Sequence, residues 1–245
     1  MSELRLLHLY PDHMNIYADR GNIAVFRRRL EWRGLGLRLI EAGPGDAIDP
    51  EAFDLFYLGG GQDRDQAMVA EDLRRAKAAG LHAAVADGAA GLCVCGGFQL
   101  AGHGYTAADG SRMEGIGLLD LDTIAGPTRL IGDLVIDARL DDEVRRVVGF
   151  ENHAGRTRLG DARPLGTVVR GHGNNGDDGQ EGAVSGRVIG TYLHGPLLPK
   201  NPWLADTLIR WALSRRGTPP LLEEIDDALA DTARETAMKR AGRRR

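Results

Sequence analysis

Apolar and polar positions in the first hundred residues switch repeatedly between a strand-like and a helix-like rhythm. Residues 4–10 (Leu-Arg-Leu-Leu-His-Leu-Tyr) read as a buried strand, and a polar segment from Pro11 to Gly21 follows. Ile23, Phe26 and Leu30 then recur at helical spacing, with Gly34 placed as a C-terminal stop. Leu35–Ala42 alternates as a second strand, and Phe53–Leu58 is a third that runs into Gly59-Gly60-Gly61. The spacing predicts a helix from about Asp63 to Ala79, closed by Gly80, and a shorter helix before the apolar strand that ends at Cys93–Cys95. Strand and helix in alternation predict an α/β fold, an open and mainly parallel sheet flanked by helices.

After Tyr105 the texture changes. Ile116–Ile124, Thr128–Leu140, Val147–Asn152, Leu165–Arg170 and Glu181–Thr191 read as further strands with short turns, which adds antiparallel pairing in the second half. A loop, Gly171 to Gly179, interrupts them. Two helices follow: Asn201–Arg215, with Pro202 as a good first-turn residue, and Leu221–Ala241, amphipathic through Leu222, Ile225 and Leu229. The expected division is a domain over 1–215 and a helical extension over 216–245 that ends in a frayed Gly-Arg-Arg-Arg tail.

A chain of 245 residues, 42% apolar and 27% charged, fits one large domain with a small appendage. The net charge of −4 argues against a nucleic-acid footprint. The start, Met-Ser-Glu-Leu-Arg, lacks a signal-peptide layout, and no apolar stretch approaches the ~18 residues of a membrane span. A soluble, cytoplasmic protein is expected. The only cysteines, Cys93 and Cys95, are too close for a framework of disulfides and lack the second pair of ligands that a zinc site needs, so no metal is expected.

The chemistry concentrates at Cys95. An apolar strand that stops at Cys95-Gly96-Gly97 and turns helical looks like a strand–elbow–helix with a nucleophile at its apex. A following helix N-terminus and a histidine from elsewhere would activate the thiol for acyl transfer through a thioester. Cys93, two residues earlier on the strand, reads as core packing. His194 closes Gly190-Thr-Tyr-Leu-His194 at a strand end, where sites assemble in open α/β sheets. His153, in Gly149-Phe-Glu151-Asn-His153-Ala-Gly155, is the rival base. The backbone amides of Gly60, Gly61 and Gly96 could form an oxyanion hole, and Arg129 is either a surface charge or an anchor for a substrate carboxylate. Gly171-His-Gly-Asn-Asn-Gly176 matches a dinucleotide-binding pattern by letter but lacks the helix that must follow. No lysine follows a glycine, so a Walker phosphate loop is absent.

The Val-Cys95-Gly-Gly-Phe-Gln99 elbow and the Gly-Thr-Tyr-Leu-His194-Gly strand end resemble class I glutamine amidotransferases with a flavodoxin-like sheet. Gly after the histidine, in place of Pro-x-Glu, is similar to the cobyric acid synthase-like branch. Tyr10 to Asn22, Leu58 to Asp63, Gly149 to Arg156 and the Gly-Asn-Asn-Gly loop narrow the resemblance to the glutaminase subunits of bacterial lipid II isoglutaminyl synthases. It spans about residue 4 to residue 215.

The resemblance implies that Cys95 attacks the side-chain amide of L-glutamine, with His194 as base and then acid. It implies that Arg129 binds the α-carboxylate, Gln99 helps shape the pocket, and the Gly60, Gly61 and Gly96 amides hold the oxyanion. It further implies ammonia transfer to a Mur-ligase-like partner, MurT, which uses ATP and Mg to amidate the D-glutamate α-carboxylate of lipid II to D-isoglutamine in peptidoglycan synthesis. No cofactor is then expected in this chain, and its work lies at the inner face of the membrane through the partner's lipid-linked substrate. With no Glu two places after His194, the third triad member is open, and Glu151 is a candidate by setting. Three other readings stand beside this one: an amidotransferase subunit of the same branch serving a different acceptor, a non-catalytic subunit that kept the fold, against which Cys95, His194 and the glycines speak, and a stand-alone Cys-His hydrolase.

Overall fold

The structure, a computed structural model, describes residues 3–15, 20–61, 63–195, 197–217 and 221–243. The first half forms β1 (Glu3–Leu9), α1 (Arg20–Glu31), β2 (Gly36–Ala42), β3 (Leu55–Leu58), α2 (Asp63–Asp72), α3 (Ala78–Ala86), β4 (Ala90–Val94) and α4 (Gly96–Ala101). The second half adds β5 (Gly104–Thr106), β6 (Arg112–Glu114), β7 (Leu121–Leu140), β8 (Glu143–Leu159), β9 (Gly166–Arg170), β10 (Gln180–Glu181), β11 (Ala183–Ser185), β12 (Val188–Thr191), α5 (Pro202–Leu213) and α6 (Ala228–Arg243).

One sheet runs β2-β1-β3-β4-β12-β11, parallel except for the β11–β12 pair. Strands buried on both faces carry continuous apolar runs, which is why β3 and β4 are buried at every position. On one face Leu4, Leu6 and Leu92 pack with Phe26 and Leu30 of α1 and Leu204 and Leu208 of α5. On the other, Leu7, Leu9 and Phe56 pack with Val69, Leu73, Leu81 and Phe98. β12 returns from the second half to lie against β4, pairing Gly190 with Cys93 and Thr191 with Val94. The second sheet is built on the long antiparallel β7–β8 hairpin, turned by Asp141 and Asp142 at φ 48 and φ 63. Asp tolerates that left-handed backbone.

Several expected boundaries differ, among them Glu181–Thr191, which is not one strand but spans the end of β10, β11 and β12. Gly80 does not end a helix: a π turn over Leu73–Lys77 joins α2 to α3, which continues to Ala86. Glycine is needed there for packing, because a Cβ would lie 2.9 Å from Ile48 Cγ1. The strands expected at Ile116–Ile124 and Thr128–Leu140 merge into one strand, β7, which starts only at Leu121 and whose Gly126-Pro127 break is a register shift between Ala125 and Leu130.

The last helix begins at Ala228 and not at Leu221. Arg29 holds Asp227 at 2.7 Å and Arg33 bonds the Glu223 carbonyl at 2.8 Å, which draws 223–227 across α1 as an extended strap. Asp226 then caps the helix by accepting from the Ala228 amide at 2.9 Å. The packed face is Ala237, Met238 and Ala241 against Val135 and Val148, while the expected apolar position Leu229 is 85% exposed. The extension therefore docks on the body of this chain. Of the expected frayed tail, Arg244 and Arg245 lie outside the described residues, as do positions 16–19 and Gln62 of the two glycine-bearing segments near the N-terminus. No helix among the described residues is long and apolar enough to cross a membrane.

Candidate active site

Cys95 sits one residue beyond β4 at φ 53, ψ −109, a conformation that costs a non-glycine residue roughly 1–3 kcal/mol. Three backbone bonds hold it there. The Cys95 amide donates to Thr191 O at 2.9 Å, Gln99 N to Cys95 O at 3.1 Å, and Gly97 N to Gly59 O at 3.0 Å. The elbow is thus pinned to β12 on one side and to the glycine loop after β3 on the other. A Cβ on Gly96 would lie 3.2 Å from the Gly61 amide nitrogen, so the glycine loop packs directly on the elbow. Cys93 is fully buried in the core, as expected of a packing residue, and burial pushes its thiol up to about 12.

His194 follows β12 by three residues. Parallel neighbours lie ~4.8 Å apart, so the ends of β4 and β12 deliver Cys95 and His194 to one rim of the sheet. The second sheet fixes the histidine from behind. His194 N donates to Phe150 O and Phe150 N to His194 O, each at 3.0 Å. Burial lowers the His194 pKa to about 4, and the charges of His153, Arg129 and Lys200 act in the same direction. The imidazole is therefore neutral at pH 7, the state a general base requires.

The remaining expected residues gather around this pair. Arg129 donates from Nε to Asn152 Oδ1 and from Nη2 to Asn152 O, both at 2.8 Å, with its charge close enough to depress His194. His153 stacks on the Tyr192 ring with centroids 3.5 Å apart and planes 6° apart. Glu151, fully buried, accepts from the amides of His172 at 2.7 Å and Gly173 at 3.0 Å, and its Oε2 lies 3.8 Å from His153 Nε2. The Gly171–Gly179 loop thereby acts as a clamp on that carboxylate. Gln99 is buried behind the elbow, its Oε1 accepting from Gln66 at 2.8 Å and its Nε2 donating to Tyr192 OH at 3.1 Å. Among the described residues no three His, Cys, Asp or Glu side chains meet as metal ligands would.

Two residues escaped the sequence reading. Gln66 shares the face of α2 that buries Val69 and Ala70, and a polar residue at a core position of an apolar stripe is a signal that pattern analysis can find. Glu181 has no such signal. It is fully buried beneath the strand that carries His194, accepting from Thr191 Oγ1 at 2.6 Å and Tyr192 N at 2.8 Å.

Burial pushes the Glu181 carboxyl up to about 7, with the Glu151 charge adding to the rise and the bonds from Thr191 and Tyr192 opposing it. A raised acid contributes stability fully present below its unfolded pKa of 4.5 and lost as pH rises toward 7. The loss is about 3 kcal/mol by linkage. His8 and His194, both lowered to about 4, act in the opposite sense over pH 4 to 6.5. The effect of Glu181 is accordingly read as a difference. Urea midpoints of wild type and Glu181→Gln are expected to diverge between pH 5 and 7 in favour of the variant, and parallel curves would refute the buried-acid assignment.

Residues 5–202 match the model of the CobB/CobQ-like glutamine amidotransferase domain. The chain is 40% identical over 245 residues to the lipid II isoglutaminyl synthase (glutamine-hydrolyzing) subunit GatD of Staphylococcus aureus, covering 100% of this chain and 99% of that one. The GatD subunit of Streptococcus pneumoniae is 38% identical over 95% of this chain and 90% of its own length. A probable cobyric acid synthase of Methanosphaera stadtmanae is 35% identical over 42% of this chain and 22% of that protein. Among solved structures, PurLQS from Thermotoga maritima superposes with a TM-score of 0.58 at 18% identity, over 87% of this chain and 98% of the other, a likeness of fold.

Proposed function

The chain belongs to the CobB/CobQ-like glutamine amidotransferase family, and from that premise we propose that it is the glutaminase subunit of a lipid II isoglutaminyl synthase. The end-to-end similarity to the Staphylococcus aureus GatD subunit carries the reading, and Cys95 and His194 on one rim of the sheet agree with it. Cys95 Sγ attacks the γ-carboxamide carbon of L-glutamine while His194 takes the thiol proton. The amides of Gly60, Gly61 and Gly96 receive the oxyanion. His194 returns the proton to the leaving nitrogen, the C–N bond breaks, and ammonia departs. Water, deprotonated by the same imidazole, cleaves the thioester to glutamate and frees the thiol. Arg129, anchored on Asn152, keeps part of its guanidinium for the α-carboxylate.

The ammonia goes to a Mur-ligase-like partner, MurT, which holds ATP and Mg, activates the α-carboxylate of D-glutamate in lipid II and amidates it. The complex works in the cytoplasm on the membrane-borne substrate. Tagged chain recovered gently from its host is expected to bring down an ATP-hydrolysing subunit. Given ATP, Mg²⁺, glutamine and lipid II, that complex should yield D-isoglutamine, read by mass spectrometry of the stem peptide. Glutamine hydrolysis with lipid II left unamidated would point to another acceptor and sink the proposed role.

A further inference from the structure

We propose that Gln66 is a specificity-determining residue that receives the nitrogen end of the substrate carboxamide, an inference that rests on the glutaminase reading above. Gln66 is 2% exposed on α2, where a polar side chain is costly unless bonded. Its Nε2 donates to Gln99 Oε1 at 2.8 Å, and Gln99 Nε2 donates to Tyr192 OH at 3.1 Å. Tyr192 OH and Thr157 Oγ1 lie 2.7 Å apart, as do Thr157 Oγ1 and Thr123 Oγ1. This buried chain uses the amide nitrogen of Gln66 and leaves Oε1 outside it.

The oxygen faces the elbow. A Cβ on Gly96 would lie 2.9 Å from Gln66 Oε1 and 3.2 Å from the Gly61 amide nitrogen, so an acceptor and a donor both border the residue that follows the nucleophile. A primary carboxamide has the matching pair: its oxygen accepts from the Gly61 and Gly96 amides, and its NH₂ donates to Gln66 Oε1. The product carboxylate has acceptors at both ends and sets an oxygen against Oε1. A site built to bond an N–H discriminates against analogues that lack it. Gln66 would thus favour glutamine over its product and over γ-esters.

The test compares L-glutamine with L-glutamate γ-methyl ester, which has no N–H to donate, on the full chain and on its complex with the co-purified synthetase. Gln66→Met, of similar shape, is expected to lower kcat/KM for glutamine about tenfold and to leave the ester within about twofold. Inhibition by glutamate should tighten in the variant. Equal losses on both substrates would overturn the proposal, indicating a packing role or the reversed amide orientation in which Nε2 faces the oxyanion. Unchanged kinetics would overturn it as well. If Gln66→Met does not fold, Cys95→Ala carries the test by calorimetry: glutamine must bind about tenfold tighter than the ester, and equal binding refutes the assignment. Wild type that hydrolyses glutamine while the variant keeps its amide-to-ester ratio sinks this inference alone. Wild type and complex that turn over neither substrate sink the glutaminase reading beneath it.

Discussion

Cys95→Ala is expected to abolish glutamate release from glutamine, a loss of at least about a thousandfold, whereas Cys93→Ala keeps activity within about twofold and loses only about 1 kcal/mol of stability. The two thiols are separated by a single residue, but the strand treats them oppositely. Cys93 is buried on β4 and paired with Gly190, its thiol held protonated by burial. Cys95 stands past the strand end at φ 53, where the chain reverses and carries the side chain clear of the sheet. Removing Sγ from Cys95 removes the atom that, in the proposed mechanism, bonds to the acyl carbon. A glutamine-like diazoketone should label wild type and Cys93→Ala and leave Cys95→Ala unmodified. Labelling of Cys93, or retained hydrolysis in Cys95→Ala, would dismiss the elbow as the reaction centre.

The sheet and the placement of Cys95 and His194 on one rim were legible because both rest on local chemistry. Apolar runs at β1, β3 and β4 record burial on two faces, and Cys-Gly-Gly after such a run has few uses other than a tight turn under a nucleophile. What fixes the histidine was not legible. The Phe150–His194 pairing joins residues of two separate sheets, and neither segment shows in its own pattern that it will meet the other. Glu181 was hidden for the same reason, since it lies on β10 of the second sheet and its partners Thr191 and Tyr192 lie on and just after β12 of the first. The C-terminal helix misled in a different way. Leu222, Ile225 and Leu229 have helical spacing, but Arg29 and Arg33 on α1 bind the strap through Asp227 and the Glu223 carbonyl, and long-range ion pairs overrode the local period.

Gly97→Ala should damage folding and turnover together. An added Cβ would lie 2.4 Å from Leu58 O and 2.7 Å from Gly59 O, and both are backbone atoms. Leu58 is paired to Leu9 and Cys93 in the sheet, so it cannot retreat without opening β3. Gly59 O accepts the Gly97 amide, so the elbow cannot move away without breaking that bond. The remaining way out separates the elbow from the glycine loop, which spreads the amides of Gly61 and Gly96 that the proposed mechanism brings to one oxyanion. A displacement on the order of 1 Å in such a site costs about a hundredfold in rate, and overpacking adds roughly 1–3 kcal/mol of instability. Gly132→Ala is the control, because a Cβ there meets nothing within 4 Å. Glutaminase assays paired with urea midpoints separate the two effects: Gly97→Ala should fall in both, and Gly132→Ala in neither. A Gly97→Ala chain that folds and turns over normally would mean that the oxyanion is not held between the elbow and the glycine loop.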